Sequence, residues 1–437
     1  GASGDTVSLA SGASQTGFGR TGTVDWDTTP KTSNFTAVSG DGFFVNTTSS
    51  AITATLPAGS AGAIVAFADY ANTFDTNNLT ISPDGTDKIA GTNADATVST
   101  EGASTTFVYV DDTQGWKQIN DATLNTIGQS FITATGGTIT TCGDFKIHTF
   151  TGPGTFCVSQ IASTPANNEV SYIVVGGGGA GGKAGSSKGG GGGGAGGFRE
   201  SKSGVDTYTA SPLEGATNIS VTASAFPITV GAGGAGIPSC ISPQDQRGNN
   251  GNTSTFSTVT SAAGGGGGSG GTCGPGSPGH PGGSGGGGGY ECSGSPKPGG
   301  SGNTPSVSPA QGFNGGASAP GPRGSHHNRN AGGGGGATVI GTEGGACSPP
   351  TTPTMPTTQA GGPGGAGATT SITGSSTAYA GGGGGGSFTG SNGTGGTGGG
   401  GSSPGGAGTA NTGGGGGSCG DGGAGGSGIV VIRYKYQ

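Results

Sequence analysis

The sequence YIVVGGGGAGGK at residues 172–183 passes from an apolar β-strand pattern directly into a run of glycine. The same passage occurs in FPITVGAGG at residues 226–234, and the order is reversed in GGSGIVVIRYKY at residues 425–436. A flexible linker has no reason to end in so apolar a strand. We therefore predict that the strand at 428–436 pairs with residues 170–175 and closes the glycine-rich segment as one domain.

The glycine content divides the chain into two parts of different composition. Of the 437 residues 111 are glycine, of which 20 precede residue 176 and 91 follow residue 175. Only 28% of the residues are hydrophobic and 8% are charged, a poor composition for a single large enzyme core. The net charge of −7 argues against nucleic acid as the main partner, since phosphate binding needs clustered lysine and arginine. No apolar stretch is long enough to predict a membrane span.

Residues 1–125 have the composition of an ordinary β domain. Short runs rich in Val, Ile, Thr, Phe and Tyr alternate with Gly, Asn, Asp and Pro, which is the pattern of a β-sandwich-like module. Asp111 and Asp112 begin a natural turn, and Asp25 and Asp27 are likewise assigned to a turn rather than to a carboxylate pair or a calcium site. The predicted strands are 42–47, 51–56, 63–69, 79–83, 105–111 and 116–119.

Residues 126–175 predict a β-hairpin that leads into the glycine-rich part. Residues 145–150 alternate in polarity, TGPG makes a turn, and residues 155–158 return. Cys142 and Cys157 would lie opposite one another in this hairpin, and they are candidates for a disulfide. Seven cysteines leave at least one unpaired. The pairing of the other five cannot be deduced from the sequence: Cys240, Cys273, Cys292, Cys347 and Cys419.

Residues 176–437 consist of glycine runs separated by polar inserts. Such a composition usually means a disordered linker, because glycine loses more backbone entropy on ordering than any other residue. The alternative is a lattice of packed polyglycine-II helices with three residues per turn, in which each N–H bonds sideways to a neighbouring chain. Cysteines in the inserts favour the ordered alternative. We predict all-β N-terminal modules, then a polyglycine-II domain closed by short β-strands, with essentially no α-helix.

The sequence predicts no catalytic, cofactor or metal site. Matches to GxSxG and GxGxxG occur, as at residues 267–271, but chance produces them in a segment this rich in glycine. His326 and His327 could be half of a metal site, although adjacent loop histidines are more often solvated. The spacing of Cys273 and Cys292 is not that of a zinc finger. We therefore expect the protein not to be an enzyme.

Binding residues are expected in the inserts, because loops on a rigid scaffold carry most recognition. The largest insert covers residues 290–330, and smaller ones cover 198–225, 237–260 and 337–360. Aromatic side chains stack on sugar faces, and arginine or histidine binds the acidic groups of surface glycans. Solvated loops, or aromatic residues that cap the lattice, would explain the same positions. The candidate contacts are Phe198, Tyr208, Tyr290, Phe313, Arg323, His326, His327 and Arg329.

The junctions between strands and glycine runs at 172–182, 228–234 and 428–434 resemble the glycine-rich domains of bacteriophage tail-fibre proteins. GDFKIHTF at 143–150 resembles the lead-in before such domains, and GDGFFVNT at 40–47 is similar to β modules in structural proteins of marine phages. The resemblance implies a polyglycine lattice whose variable inserts bind the host surface. The chain departs from those adhesins in its longer Pro- and Ser-rich inserts and its acidic N-terminal module.

The sequence supports three functional classes. The first is a virion structural protein, a tail fibre or adhesin, in which residues 1–125 attach to the particle, 126–175 lead in and 176–437 present loops to the host. The second is a purely structural subunit of an extracellular filament or a capsid decoration, whose N-terminal segment or C-terminal strand engages a neighbouring subunit. The third, an ice-binding protein, would need a regular Gly-x-x face, which the irregular inserts do not provide.

The first class carries expectations about partners and location. The resemblance implies a host cell-surface glycan or outer-membrane protein as receptor, other virion proteins as partners, and a homotrimer or the tip of a trimeric fibre. We expect no nucleic-acid binding and no membrane insertion. The expected location is the virion or the extracellular space.

Overall fold

The computed structural model describes residues 24–119, 130–184, 189–238, 246–271, 276–290, 295–319, 330–345, 360–388 and 390–437. The chain divides into two compact units, residues 1–130 and 131–437. In the described residues the only helix is one 3-10 turn, Pro165–Asn168, and the rest of the regular structure is β-strand. None of this is a helix with the length and hydropathy needed to cross a bilayer. The all-β prediction is confirmed for the part of the chain that the structure describes.

The first unit forms two sheets, between which its first six strands alternate. They are β1 (Asp25–Lys31), β2 (Phe35–Thr36), β3 (Asp41–Val45), β4 (Ile52–Thr55), β5 (Ile64–Asp69), β6 (Leu79–Ser82), β7 (Ala96–Val98), β8 (Ser104–Asp111) and β9 (Gly115–Gln118). The sheet orders are β1-β3-β5-β8-β9 and β2-β4-β6-β7. The first three strands of each sheet pair in parallel, because the chain crosses to the other sheet after every strand. The last strands of each sheet pair antiparallel.

A single side-chain core lies between these two sheets. It is rich in aromatic residues, and Phe67, Phe107 and Trp116 are almost completely buried. Alternation along β4 and β6 supplies the facing residues, as the period-two pattern predicts. The predicted turn after β8 is confirmed, because the Asp111 carboxylate accepts hydrogen bonds from the N–H groups of Thr113 and Gln114.

The N-terminal edge of this unit differs from the sequence prediction. Asp25 and Asp27 lie in β1, so their assignment to a turn is wrong. The Asp27 carboxylate accepts a hydrogen bond from the Lys31 ammonium at 2.8 Å, and that bond lowers the pKa of Asp27. Strand β1 was missed because three of its residues are threonine or proline and most of its side chains are exposed or half-buried.

The second unit contains two larger sheets and one hairpin within its described residues. Its strands are β10 (Thr133–Thr135), β11 (Thr138–Cys142), β12 (Phe145–Phe150), β13 (Gly154–Gln160), β14 (Glu169–Val175), β15 (Phe198–Ser201), β16 (Ile219–Ser220), β17 (Ala225–Thr229), β18 (Ser254–Phe256), β19 (Val259–Ser261), β20 (Ala368–Thr370), β21 (Thr377–Tyr379) and β22 (Ile429–Lys435). One sheet has the order β11-β12-β22-β14-β15, with β16 beside β14, and the other has the order β10-β13-β17-β18-β19. Strands β20 and β21 form the hairpin.

The C-terminal strand β22 is the centre of its sheet. It pairs antiparallel with β14 on one side, where Val174 lies opposite Val430, and with β12 on the other. The predicted pairing of 428–436 with 170–175 is therefore confirmed. Alternate side chains of β22 enter two different cores. One core lies between this sheet and the sheet β10-β13-β17-β18-β19, and the other lies on the opposite, outer face of the β22 sheet. The residues that close the unit are thus also the residues that join its two cores.

The predicted hairpin between residues 145–150 and 155–158 is wrong, and so is the disulfide that depends on it. Strand β12 pairs with β11, whereas β13 joins the other sheet through β10 and β17. Cys142 packs against the core on the outer face of the first sheet, and Cys157 is exposed on the second sheet. Both are free thiols, because they lie on different sheets of the second unit with the core between the two sheets separating them.

The glycine runs form a lattice of extended helices joined by backbone hydrogen bonds. The N–H of Gly179 donates to the carbonyl of Gly194, and the N–H of Gly182, three residues later, donates to Gly191, three residues earlier. The two residues in between donate to two other segments of the chain. This threefold repeat of hydrogen-bond direction is the geometry of polyglycine II, so that prediction is confirmed.

Residues 189–197 form the centre of the lattice. Every residue of the run is buried, and its N–H and C=O groups bond to six surrounding segments. A Cβ added to Gly193 would lie 2.1 Å from the carbonyl oxygen of Gly179, so only glycine permits this approach. The six segments are 176–182, 262–268, 284–290, 332–335, 383–386 and 413–416.

Candidate binding surface

The lattice has two ends of different character. At one end, which we call the sheet end, the runs continue directly into strands. Gly176 follows β14, Gly197 precedes β15, and Gly428 precedes β22. The runs begin and end beside side-chain cores here, so the two sheets fix the register of the lattice.

At the opposite end, which we call the loop end, the runs meet one another through short polar contacts. The N–H of Lys183 donates to the carbonyl of Gln246 at 2.8 Å, and the N–H of Gly271 donates to that of Tyr290 at 3.1 Å. The N–H of Ala319 donates to the carbonyl of Asn330 at 2.9 Å. These residues lie in different inserts of the sequence, yet hydrogen bonds hold them side by side.

Asn330 is the most highly connected residue of the loop end. Its amide nitrogen donates to the carbonyl of Gly345 at 2.7 Å, and its amide oxygen accepts from the hydroxyl of Ser387 at 2.7 Å. Gly345 in turn donates its N–H to Ala360 at 2.9 Å. Asn330 is completely buried. Four chain segments are therefore fixed at this point by one side chain and the backbone around it.

Residues from different polar inserts meet at the loop end, among them Gln246, Tyr290 and Asn330. This follows from the direction of each run, since neighbouring runs are linked residue by residue from the sheet end outward.

The predicted contact residues are distributed unevenly over this surface. Arg323, His326, His327 and Arg329 lie outside the described residues, between the loop-end residues Ala319 and Asn330. Tyr290 is at the loop end, where its side chain is buried with 2% exposed. Phe313 is half-buried and its backbone bonds to Gly285 and Gly336 nearer the sheet end.

Phe198 and Tyr208 are also buried and belong to a core at the sheet end. Their side chains contribute to that core. Phe198 was selected as an insert aromatic, but it lies in β15, where strand alternation turns it inward. Tyr208 donates its hydroxyl hydrogen bond to Glu200 at 3.1 Å, and burial raises the pKa of that hydroxyl.

The predicted insert 290–330 does not project as one loop. The N–H of Gly300 donates to Gly286 at 2.7 Å, and that of Gly316 donates to Gly333 at 2.9 Å. Residues 295–319 thus contribute their own lattice segments. The boundary was misplaced because glycines in this stretch occur in pairs rather than in runs.

A buried polar network at the sheet end was missed by the sequence analysis. The Arg433 Nε donates to both carboxylate oxygens of Asp206 at 3.0 Å, and the Ser171 hydroxyl donates to the same carboxylate at 2.8 Å. The Arg433 guanidinium also lies 4.5 Å from the ring centroid of Phe145. An arginine in the middle of the apolar strand IVVIRY was the available signal, because a charge in such a strand needs a buried partner.

This network holds strands and loops of the second unit together. It ties the segment after β15 to β14 and β22, and Glu200 extends it through the hydroxyl of Thr370 at 2.6 Å. Each carboxylate is already satisfied by neighbouring donors. Among the described residues no group of three or more His, Cys, Asp and Glu side chains is close enough together to hold a metal ion.

These features define a class of protein: an all-β chain in which a polyglycine-II lattice is anchored on two β-sheets at one end, while residues of several polar inserts meet at the other end. The model of the glycine-rich domain family matches residues 149–435, and the chain belongs to that family. No curated protein matches the sequence.

Proposed function

We propose that this chain is a phage virion structural protein, a tail fibre or adhesin, that binds the host cell surface through the inserts at the loop end. The observation that carries the proposal is the meeting of residues from the inserts 237–260, 290–330 and 337–360 at one end of the lattice. A scaffold that brings residues of several inserts together on one face suits the display of variable binding segments. It has no evident use in a linker.

The construction of the lattice favours this role. Binding loops gain affinity when their anchors are rigid, because less conformational entropy is lost on association. Each run here is fixed by hydrogen bonds in three directions, and Asn330 fixes four segments at the base of the loops. Inserts can therefore change in sequence without disturbing the scaffold. The receptor of such an adhesin would be a host glycan or outer-membrane protein.

In this proposal the first unit attaches the protein to the particle. Its surface carries exposed apolar side chains, including Trp26 at 43% and Tyr70 at 56% exposure. Other virion proteins would be the partners there, and a homotrimer or a trimeric fibre tip would be the assembly. The location would be the virion or the extracellular space.

The alternative is a purely structural subunit of a filament or capsid decoration without receptor binding. It requires the N-terminal segment or the C-terminal strand to engage a neighbouring subunit. Strand β22 is paired on both edges within its own chain, so it offers no free edge for such an exchange. The alternative then depends on the N-terminal segment alone, which makes the adhesin the better-supported function.

The test is binding of the purified chain to a panel of intact candidate host cells. In the main variant residues 320–329 are replaced by Gly-Asn-Gly. A short turn can connect Ala319 to Asn330, because the N–H of Ala319 donates a hydrogen bond to the Asn330 carbonyl. This change removes Arg323 and Arg329. The control variant, Lys202→Gln with Lys435→Gln, removes the same charge near the sheet end.

We expect saturable binding that the loop replacement weakens strongly and the control does not. Equal loss in both variants would mean that binding is a general charge effect. An absence of binding across the host panel, with the protein folded, would contradict the adhesin and favour the structural subunit.

A further inference from the structure

A cleft of about 400 Å³ lies at the sheet end, away from the loops. It opens where β15, the edge of one sheet, approaches the β18–β19 hairpin at the edge of the other. The segment around residues 305–311 forms the third wall. Its lining includes Arg199, Thr253, Thr258, Val259, Ala262 and Gln311.

Arg199 is the one charged residue that lines this cleft, and its side chain is unpaired. It is 8% exposed, and its Nε makes no hydrogen bond. No ion pair or hydrogen bond engages the guanidinium within the part of the chain that the structure describes. Burial lowers the pKa of Arg199, and the nearby group that opposes this shift is the Tyr172 hydroxyl rather than a carboxylate. A buried guanidinium without an anion is destabilising, so its presence calls for an explanation.

The contrast with Arg433 is informative. Arg433 is also buried, on the other face of the same sheet, where the Asp206 carboxylate and the Phe145 ring contact its guanidinium. The fold therefore supplies a partner where an arginine has only a structural task. At Arg199 the partner is missing and an open cleft takes its place.

The other walls of the cleft suit a small ligand with both polar and apolar surface. Val259 and Ala262 are buried, and the exposed threonines Thr253 and Thr258 surround the opening. Gln311 is already committed, because its amide oxygen accepts from the Ala262 N–H and its amide nitrogen donates to the Pro305 carbonyl, both at 2.8 Å. Arg199 is thus the uncommitted strong donor of the cleft.

From this geometry we propose that the cleft binds the carboxylate of an acidic sugar, with Arg199 as the bidentate anchor. A guanidinium matches the planar carboxylate with two parallel N–H···O bonds. One positive charge without a second cation fits a monoanionic carboxylate better than a doubly charged phosphate. Threonine hydroxyls serve the sugar hydroxyls, and the valine and alanine surfaces serve the aliphatic face of the ring. The site is separate from the loop end and does not depend on the proposed function.

The test measures binding of free glucuronate and N-acetylneuraminate to the full chain by calorimetry and by ligand-observed NMR. Glucose and the methyl ester of glucuronate are the uncharged comparisons, and acetate and inorganic phosphate are the comparisons for other anions. The variants are Arg199→Gln, Arg199→Lys and Arg199→Met. Arg247→Gln, at an exposed arginine on another part of the unit, is the charge-matched control.

We expect at least one sugar acid to bind about tenfold or more tightly than its uncharged counterpart, and Arg199→Gln to abolish that preference. Arg199→Lys should retain part of the affinity, and Arg247→Gln all of it. Arg199→Met should lose the ligand yet unfold at the same temperature as wild type or a higher one, because it removes an unpaired buried charge.

Four results would overturn the proposal. They are binding of no sugar acid at millimolar concentration, equal binding by Arg199→Gln, tighter binding of phosphate than of either sugar acid, and acetate binding as tight as that of the sugar acids. A large loss of stability in Arg199→Met would assign the residue a structural role instead. Since free sugars are measured, each result stands whether or not the chain binds host cells.

Discussion

Strand β22 and the glycine run 189–197 are both at the centre of the second unit, and they are held in place by opposite means. Strand β22 fills the space on both of its faces with side chains, among them Val431 and Ile432, which are completely buried. The run has almost no side chains, and six neighbours approach its backbone directly. A sheet is therefore sensitive to volume that is removed, whereas a polyglycine lattice is sensitive to volume that is added.

The largest expected effect comes from adding one methyl group to the lattice. Gly193→Ala would place its Cβ 2.1 Å from the Gly179 oxygen, and a backbone hydrogen-bonded on all sides cannot move aside. We expect a loss of about 4 kcal/mol or more in the free energy of unfolding of the second unit, measured by chemical denaturation. Gly152→Ala is the matched control, since nothing lies within 4 Å of its added Cβ. Similar stability of both variants would show that the lattice relaxes easily and would remove the contrast with the sheet.

An alanine placed in the sheet should also lower the free energy of unfolding, but because it removes buried volume rather than adding it. Ile432→Ala removes buried volume from β22, and we expect it to destabilise the second unit by about 2–5 kcal/mol. The control is Ile139→Ala in the same sheet, where the side chain is 44% exposed and the expected change is within about 0.5 kcal/mol. Equal unfolding midpoints for the two variants would argue against a side-chain core around β22.

A position shared by both regions sharpens the comparison. Ala195 lies within the central run, but its methyl group belongs to the core on the outer face of the sheet. Ala195→Gly should therefore cost about 1 kcal/mol for the lost methyl group, although it makes the lattice pure glycine there. Chemical denaturation of the Ala195→Gly variant, in parallel with the Gly193→Ala variant, measures this change in the free energy of unfolding. A more stable Ala195→Gly variant would mean that backbone packing, rather than the side-chain core, dominates at this boundary.

The smallest expected effect is the pH dependence of stability that a buried histidine in the sheet produces. His148 is buried, its Nδ1 donates to the Gly136 carbonyl at 2.7 Å, and its Nε2 accepts from the Tyr434 hydroxyl at 3.1 Å. Burial lowers the pKa of His148, so the unfolded chain takes up a proton near pH 6.5 that the folded chain does not. Its contribution to stability is thus fully present above that pH and is lost as the pH falls through the lower folded pKa.

The measurement is the free energy of unfolding between about pH 5 and pH 7, the range in which histidine titrates before most carboxylates do. His148→Gln should show a shallower decline than wild type across this range. His280→Gln is the comparison at a lattice segment, where burial lowers the pKa of a half-buried histidine in the same direction. An unchanged slope in His148→Gln would mean that His148 is not kept neutral in the folded protein.

Much of the fold could be predicted from local patterns. Period-two alternation located β4, β6 and β8, and the carboxylate of Asp111 marked the turn before β9, because such signals depend on residues close in sequence. The strand pairing of β22 with β14 could also be predicted, since two apolar strands beside glycine runs have few other partners. Strand β13 was misassigned because a tight turn predicts a hairpin, while the chain crosses to another sheet.

The binding surface was less predictable. Phe198 and Tyr208 were selected as insert aromatics, but whether an insert side chain points inward depends on strands that are distant in sequence. The meeting of Ala319, Asn330 and Gly345 at one end could not be found either, because the directions of the lattice runs are set by hydrogen bonds between them. The Arg199 cleft likewise combines three inserts of the sequence.

The sequence by itself determined that the chain after residue 175 consists of glycine runs and polar inserts, that strands border these runs, and that the runs pack as polyglycine II if they are ordered. Composition and local periodicity are sufficient for these conclusions. Only the tertiary structure decided which runs are neighbours, which end presents the inserts, and which arginine has no partner. The physical reason is that glycine carries no side chain to specify a neighbour, so the anchoring sheets and the hydrogen bonds between distant runs set the register of the lattice.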